Sequence, residues 1–223
     1  MKAEVSELLE LVKHGEMVIV EHETSYVSEF LLKLLADYTR ESGVPFVIED
    51  YFDSLYTLLV HSDILGLDVD IGHSYVLKVG GRHKVGGTVR QVEFHPDPRV
   101  FLRNYDGASP QLGGIDGPAL HLVLGFENVL YFVRDVRDFY RLLLGIQRYV
   151  GNNQRKTLYL LPSGFFANLP RYILPELRRI ATGLWAAETL PMGLSVSIRK
   201  SSDLTLTGMK FEVELGGDLS ERR

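Results

Sequence analysis

The sequence predicts an α/β fold with a mainly parallel central sheet, antiparallel strands near the C-terminal end and a β-hairpin insert in the middle. Three observations predict it. Twice in the first 65 residues a short apolar run leads through polar residues into an amphipathic helical repeat, the signature of parallel crossover units. A glycine-rich stretch, "KVGGRHKVGG", separates two β-rich runs between about residues 74 and 95, which reads as a hairpin with its tip near Gly80 to Gly87. From Trp185 onward apolar and polar side chains alternate at period two, as antiparallel strands do.

Each element follows from local pattern. Val5, Leu8, Leu9 and Val12 stand at helical spacing and Gly15 follows as a stop. "MVIV" at 17–20 is β-branched and too short for a helix, whereas Val27, Phe30, Leu31, Leu34, Leu35 and Tyr38 line one helical face over 25–40. The strand at 46–48 ends in the acidic pair Glu49-Asp50, and a helix runs from Asp53 to Leu65 with Asp53 or Ser54 placed to accept its first free amides. A short helix is expected over 97–104 and a mobile loop over 105–118, where Gly, Pro, Asp and Ser concentrate. A buried strand opens 119–133, a helix follows over 134–150, and "TLYLLP" at 157–162 is a strand stopped by proline. Residues 169–184 read as a helix starting near Pro175. One domain over 1–216 and a disordered tail over 217–223 complete the reading.

Composition narrows the function. The net charge of -5 opposes a protein-wide positive field, so nucleic acid is not the expected partner. Arg171, Arg178, Arg179, Arg199 and Lys200 form a late basic cluster that reads equally as a solvated helix face paired with Glu176. No cysteine is present, which excludes thiolate metal sites, disulfides and cysteine nucleophiles. No secretory signal is apparent and no apolar run approaches the roughly 20 residues that span a bilayer, so a soluble, cytoplasmic protein is expected.

The candidate residues cluster where strands end. "EHETSYVS" at 21–28 occupies the place of a phosphate-binding loop. Such a loop uses glycines to turn amides toward phosphate, a lysine to neutralise it and a hydroxyl for magnesium. Here Glu21 and Tyr26 stand at glycine positions, Val27 at the lysine and Ser28 at the hydroxyl. Only Ser28 fits, and the same octet reads as an ordinary loop capped by Thr24 or Ser25. Glu49 and Asp50 are candidate catalytic carboxylates; acids near a helix start are also favoured by its dipole alone. The histidines have no HxH or HExxH spacing, so no metal site is expected. Lys78, Arg82, His83 and Lys84 could offer charge to phosphate from the hairpin tip. Ser163 before Gly164 lacks the G-x-S-x-G setting of a hydrolase nucleophile.

In order, "HGEMVIVEH", "GVPFVIEDYFDSL", "LGLDV", "HLVLGFEN", "LSVSIRKSS" and "GMKFEVELGGDL" resemble segments of RecA-like P-loop proteins, specifically the KaiC-like and GvpD-like archaeal group. The chain also resembles a family of unknown function from hyperthermophilic archaea related to Thermococcus and Pyrococcus. The resemblance implies a RecA-like three-layer αβα sandwich, with Thr24, Ser25, Tyr26, Val27 and Ser28 as a vestigial, degenerate Walker A loop that Tyr26 refills. The magnesium-directing aspartate of the group falls near Gly125, with Glu127 close by. It implies a non-catalytic regulatory or protein-interaction module, monomeric or dimeric, that has lost ATP hydrolysis and has no cofactor. The alternative is an atypical ATP/Mg enzyme using Glu49 and Asp50, with Arg82, Lys84, Arg199 or Lys200 replacing the lysine.

Overall fold

The computed structural model describes residues 1–23, 26–108, 115, 117–191 and 193–215. The described residues form one sheet of nine strands: β1 Met17–His22, β2 Phe46–Tyr51, β3 Tyr75–Val79, β4 Thr88–Val92, β5 Ala119–Leu124, β6 Arg155–Pro162, β7 Gly183–Leu190, β8 Gly193–Lys200 and β9 Lys210–Glu214. Their order is β4-β3-β2-β5-β6-β1-β7-β8-β9. Pairing is parallel from β4 to β7 and antiparallel from β7 to β9.

Alternate residues of each inner strand feed two separate cores, because side chains in a strand alternate between faces. Val18, Val20, Phe46, Ile48, Leu122 and Leu158 meet the helices α1 Val5–Glu10, α2 Val27–Ser42 and α3 Ser54–Ile64 on one face. Met17, Ile19, Leu77, Val123, Tyr159 and Leu161 meet α4 Pro98–Ala108, α5 Glu127–Leu130, α6 Val136–Gln147 and α7 Ile173–Ile180 on the other. The three-layer α/β arrangement read from the sequence is therefore present, and Phe30, Leu31, Leu34 and Leu35 of α2 are buried as their spacing implied.

Three expectations are corrected. The middle insert is not a hairpin: β3 and β4 run parallel, with Tyr75 opposite Thr88 and Val79 opposite Val92. A tight hairpin turn uses about 2–5 residues, whereas residues 80–87 are enough chain to travel back along a short strand. The glycines serve that return, not a tip, since a Cβ on Gly87 would lie 2.1 Å from the Gly72 carbonyl oxygen. The helix expected over 169–184 is shorter, because from Gly183 the chain joins the sheet beside β1. The helix expected to end at 104 continues to Ala108; most of the remaining loop, 109–114 and 116, and the tail over 217–223 lie outside the described residues.

Candidate functional site

The parallel strands β1, β5 and β6 are sheet neighbours and their carboxyl ends open on one cleft, the edge from which such sheets present ligands. Its volume is about 330 Å³, and it is lined by His22, Ser28, Ser54, Thr57, Glu127 and Asn128 together with apolar side chains that include Phe52 and Leu58.

Glu49 and Asp50 are neighbours in sequence but point to opposite faces, as strand geometry requires. Asp50 is fully buried; its Oδ2 accepts from Lys78 Nζ at 2.6 Å and its Oδ1 from the Leu55 amide at 2.9 Å. Lys78 is itself buried and also meets Asp53 Oδ1 at 2.5 Å. Lys78 thus belongs to the interior and is not a cation on a solvated tip. Glu49, on the other face, accepts from Arg155 at 2.9 Å and from His121 at 3.3 Å. Burial acts to raise Glu49, but the His121 hydrogen bond and the Arg155 charge hold its carboxyl below the usual range. Burial, then Arg155, push His121 down to about 4. The Glu49 contact is therefore a hydrogen bond donated by a neutral imidazole, and the full ion pair is with Arg155.

Between β2 and α3 the chain makes a strained corner: Phe52 and Asp53 have φ of 54° and 66°, a left-handed region costly for side chains. Asp53 stands at the helix start but does not cap it. Its carboxylate instead accepts from the Arg82 and His83 amides at 2.9–3.0 Å and from Lys78. Despite its desolvation, these donors hold Asp53 well below the usual carboxylate range. Phe52 is fixed by rings, with Phe94 at 4.7 Å and Phe132 at 5.7 Å.

Near the end of β1, Glu21 is gripped by two hydrogen bonds from Arg178, at 2.6 and 2.7 Å. Val27, the first residue of α2, is fully buried in the core. Tyr26 is 48% exposed, so it does not refill the loop as expected. Thr24 and Ser25 lie outside the described residues, and α2 starts after Tyr26 without a side-chain cap. Ser28 is engaged with His22, Oγ to Nε2 at 3.1 Å, while His22 Nδ1 lies 2.8 Å from the Glu23 carbonyl oxygen. A carbonyl only accepts, so the imidazole proton sits on Nδ1 and Ser28 donates to Nε2. Burial pushes His22 down, which keeps it neutral.

Gly125 and Glu127 follow β5. A Cβ on Gly125 would sit 2.0 Å from Ser54 Oγ and 2.7 Å from the Tyr51 carbonyl oxygen, at a φ of +75°. No side chain fits there, an aspartate included. Gly125→Ala is expected to destabilise the fold by at least about 2 kcal/mol from backbone strain and overlap. The readout is a lower urea midpoint at unchanged slope; a midpoint equal to that of the parent would refute the packing argument. Glu127 carries the cleft's carboxyl group, and burial pushes it up to about 7. Its Oε2 is buried without a hydrogen-bond partner among the described residues.

The late basic cluster is largely consumed. Arg178 holds Glu21, Arg179 holds Glu176, and Lys200 Nζ caps the carbonyl oxygens of Arg178 and Ala181 at the end of α7. Among the described residues no group of three acidic or histidine side chains could hold a metal, and no helix is long and apolar enough to cross a membrane.

The geometry the sequence could not supply is the pairing of Lys78 with Asp50 and of Arg155 with Glu49, because the partners are 28 and 106 residues apart. Glu127 carried one legible signal, an acid shortly after a buried strand.

Comparisons with known proteins agree with this architecture. A search of curated proteins gave no match. The chain is similar to the Pyrococcus horikoshii OT3 protein PH0250, at 21% identity and TM-score 0.78, covering 92% of this chain and 96% of that one. It is similar to the KaiC-like protein PH0186 of the same organism, at 18% identity and TM-score 0.58, covering 91% and 87%. It is also similar to the uncharacterized P. horikoshii protein PH0321, crystallised in complex with an unknown peptide, at 15% identity and TM-score 0.61, covering 91% and 89%. The fold is thus RecA/KaiC-like, in a divergent form. Residues 7–212 match the family model described as Pyrococcus protein of unknown function, DUF257, and the chain belongs to that family.

Proposed function

We propose that this chain is a RecA-like module that acts by binding a protein partner, as a monomer or dimer, and has lost ATP hydrolysis. The observation that carries the reading is the closure of both strand-end carboxylates: Glu49 is held by Arg155 and Asp50 by Lys78, each pair buried in its own core. A general base must reach the proton it abstracts, and neither carboxylate faces the cleft. ATP and magnesium do not fit the residues present. Val27 is in the core where the lysine would stand, Gly125 leaves no room for an aspartate, and the cleft lining contains Glu127 but no lysine or arginine.

Exposed apolar stripes support the partner. Val136, Tyr140 and Leu144 follow one another at i, i+4 and i+8 on α6 with 52, 38 and 61% exposure, and Tyr56, Val60 and Ile64 do the same on α3. Contiguous apolar surface of this kind marks interaction sites. The peptide bound to the neighbour PH0321 is consistent with such a role. The engagement of Arg178, Arg179 and Lys200 within the chain favours a protein over a nucleic-acid partner.

Phosphate release from ATP with magnesium tests the loss of hydrolysis. The expected result is no turnover above a protein-free blank, over the temperature range in which the fold persists. Turnover that disappears in Glu127→Gln would overturn the reading and make the cleft a nucleotide site.

A further inference from the structure

The cleft at the ends of β1, β5 and β6 has an uneven hydrogen-bond inventory. Ser54 donates its hydroxyl proton to the Tyr51 carbonyl oxygen at 2.7 Å, Thr57 donates to the Asp53 carbonyl oxygen at 3.2 Å, and Ser28 donates to His22 Nε2 at 3.1 Å. Each hydroxyl carries one proton and two lone pairs. With all three protons spent inside the protein, the hydroxyl oxygens have only lone pairs left for a ligand. Glu127 adds a carboxyl oxygen that is buried and has no partner among the described residues. Asn128 is the lining side chain with protons still to give. A lining whose side chains mostly accept disfavours phosphate, which also only accepts, and matches a group made of donors.

We infer that this cleft binds the alkylammonium or guanidinium group of a ligand, with Glu127 as counter-ion and the Ser28, Ser54 and Thr57 oxygens as acceptors. The ammonium carries three donors and the guanidinium five, none of which accepts. The volume, about 330 Å³, is at the lower end of the roughly 300–1,000 Å³ seen for ligand sites. It suits one amine-tipped chain better than a nucleotide. A charge-assisted contact to a buried carboxylate is also among the stronger hydrogen bonds. Two sources share this chemistry: a free small amine, or a lysine or arginine side chain of a protein partner. The second rests on the protein-binding role proposed above.

Calorimetric titration of the full chain tests the inference with n-butylammonium, methylguanidinium, sodium butyrate, butyl phosphate and magnesium chloride, each alone. The cations are expected to bind in the millimolar range and the two anions not at all. Glu127→Gln should weaken cation binding at least tenfold, and Ser28→Ala several-fold. Binding should also tighten as pH rises from 6 to 8, because the carboxyl near pH 7 must ionise to pair, and Glu127→Gln should abolish that trend. His22 is the other titratable side chain lining the cleft, and burial lowers its proton affinity below the ordinary histidine range.

Equal cation affinity in Glu127→Gln, tighter binding of butyrate or butyl phosphate, magnesium binding that depends on Glu127, or no cation binding at tens of millimolar would each overturn the inference. Melting curves confirm that each variant is folded, and if Glu127→Gln is not, Ser28→Ala and the ligand series still decide. A pentapeptide of glycines around one lysine, against the same peptide with norleucine, separates the sources. Lysine-dependent binding supports the protein-partner reading. Binding of the free amine without the peptide keeps the cleft and removes that reading.

Discussion

Lys78→Met should lower the melting temperature by on the order of 10 °C. The ammonium is buried and touches Asp50 and Asp53 at 2.6 and 2.5 Å, so its loss leaves a fully buried carboxylate without a counter-ion. Breaking a buried pair from one side costs about 3–5 kcal/mol, chiefly through the charge left behind, and a chain of this size shifts by about 2–4 °C per kcal/mol. Adding Asp50→Asn should recover part of the loss, since it removes that charge while keeping an acceptor for the Leu55 amide. Calorimetric melts of the parent, the single and the double variant measure this. A single variant within about 1 kcal/mol of the parent would show that Asp50 and Asp53 are solvated in solution.

Arg155→Met should cost a similar amount at neutral pH, with a distinctive pH dependence. In the parent, His121 has its proton affinity pushed down to about 4 from an ordinary 6.5. The unfolded chain therefore binds a proton between pH 6.5 and 4 that the native state refuses, and stability falls with falling pH in that window, by up to about 3 kcal/mol. Glu49, held below its ordinary value of 4.5, adds a loss in the same direction once pH drops below that value. Without Arg155 the buried Glu49–His121 pair lacks a positive charge and takes up a proton itself. The deficit of the variant relative to the parent should thus shrink as pH falls from 7 to 5. Urea midpoints across this range decide, and a deficit constant with pH would remove His121 and Glu49 from the account.

Much of the fold was legible because its causes are local. Helical spacing marked Val27 to Tyr38, β-branched runs marked β1 and β2, and period-two alternation marked β7 to β9. The β3–β4 pairing was not legible: "KVGGRHKVGG" has the composition of a hairpin, and the direction of the second strand depends on a close pass beside Gly72 that only tertiary structure reveals. The site divided in the same way. Ser28 was identified as the one residue matching the hydroxyl position of a phosphate-binding loop, but its partner His22 was one of seven dispersed histidines. Glu49 and Asp50 stood out as an acidic pair, yet their buried partners come from β6 and β3. A carboxylate's freedom to act depends on contacts made across the sheet, which sequence adjacency does not encode.

The Asp53 clasp has a consequence for the order in which the molecule opens. One carboxylate at the β2–α3 corner holds the Arg82 and His83 amides of the return loop and the Lys78 ammonium of β3. The strand beyond that loop, β4, pairs with β3 alone and has mostly exposed or half-exposed side chains. Regions with few buried contacts open at free energies below that of global unfolding. The β4 edge is therefore expected to exchange its amides with solvent while the buried β3 and the strands β2, β5, β6 and β1 stay closed, with the Asp53 clasp marking where the opening stops.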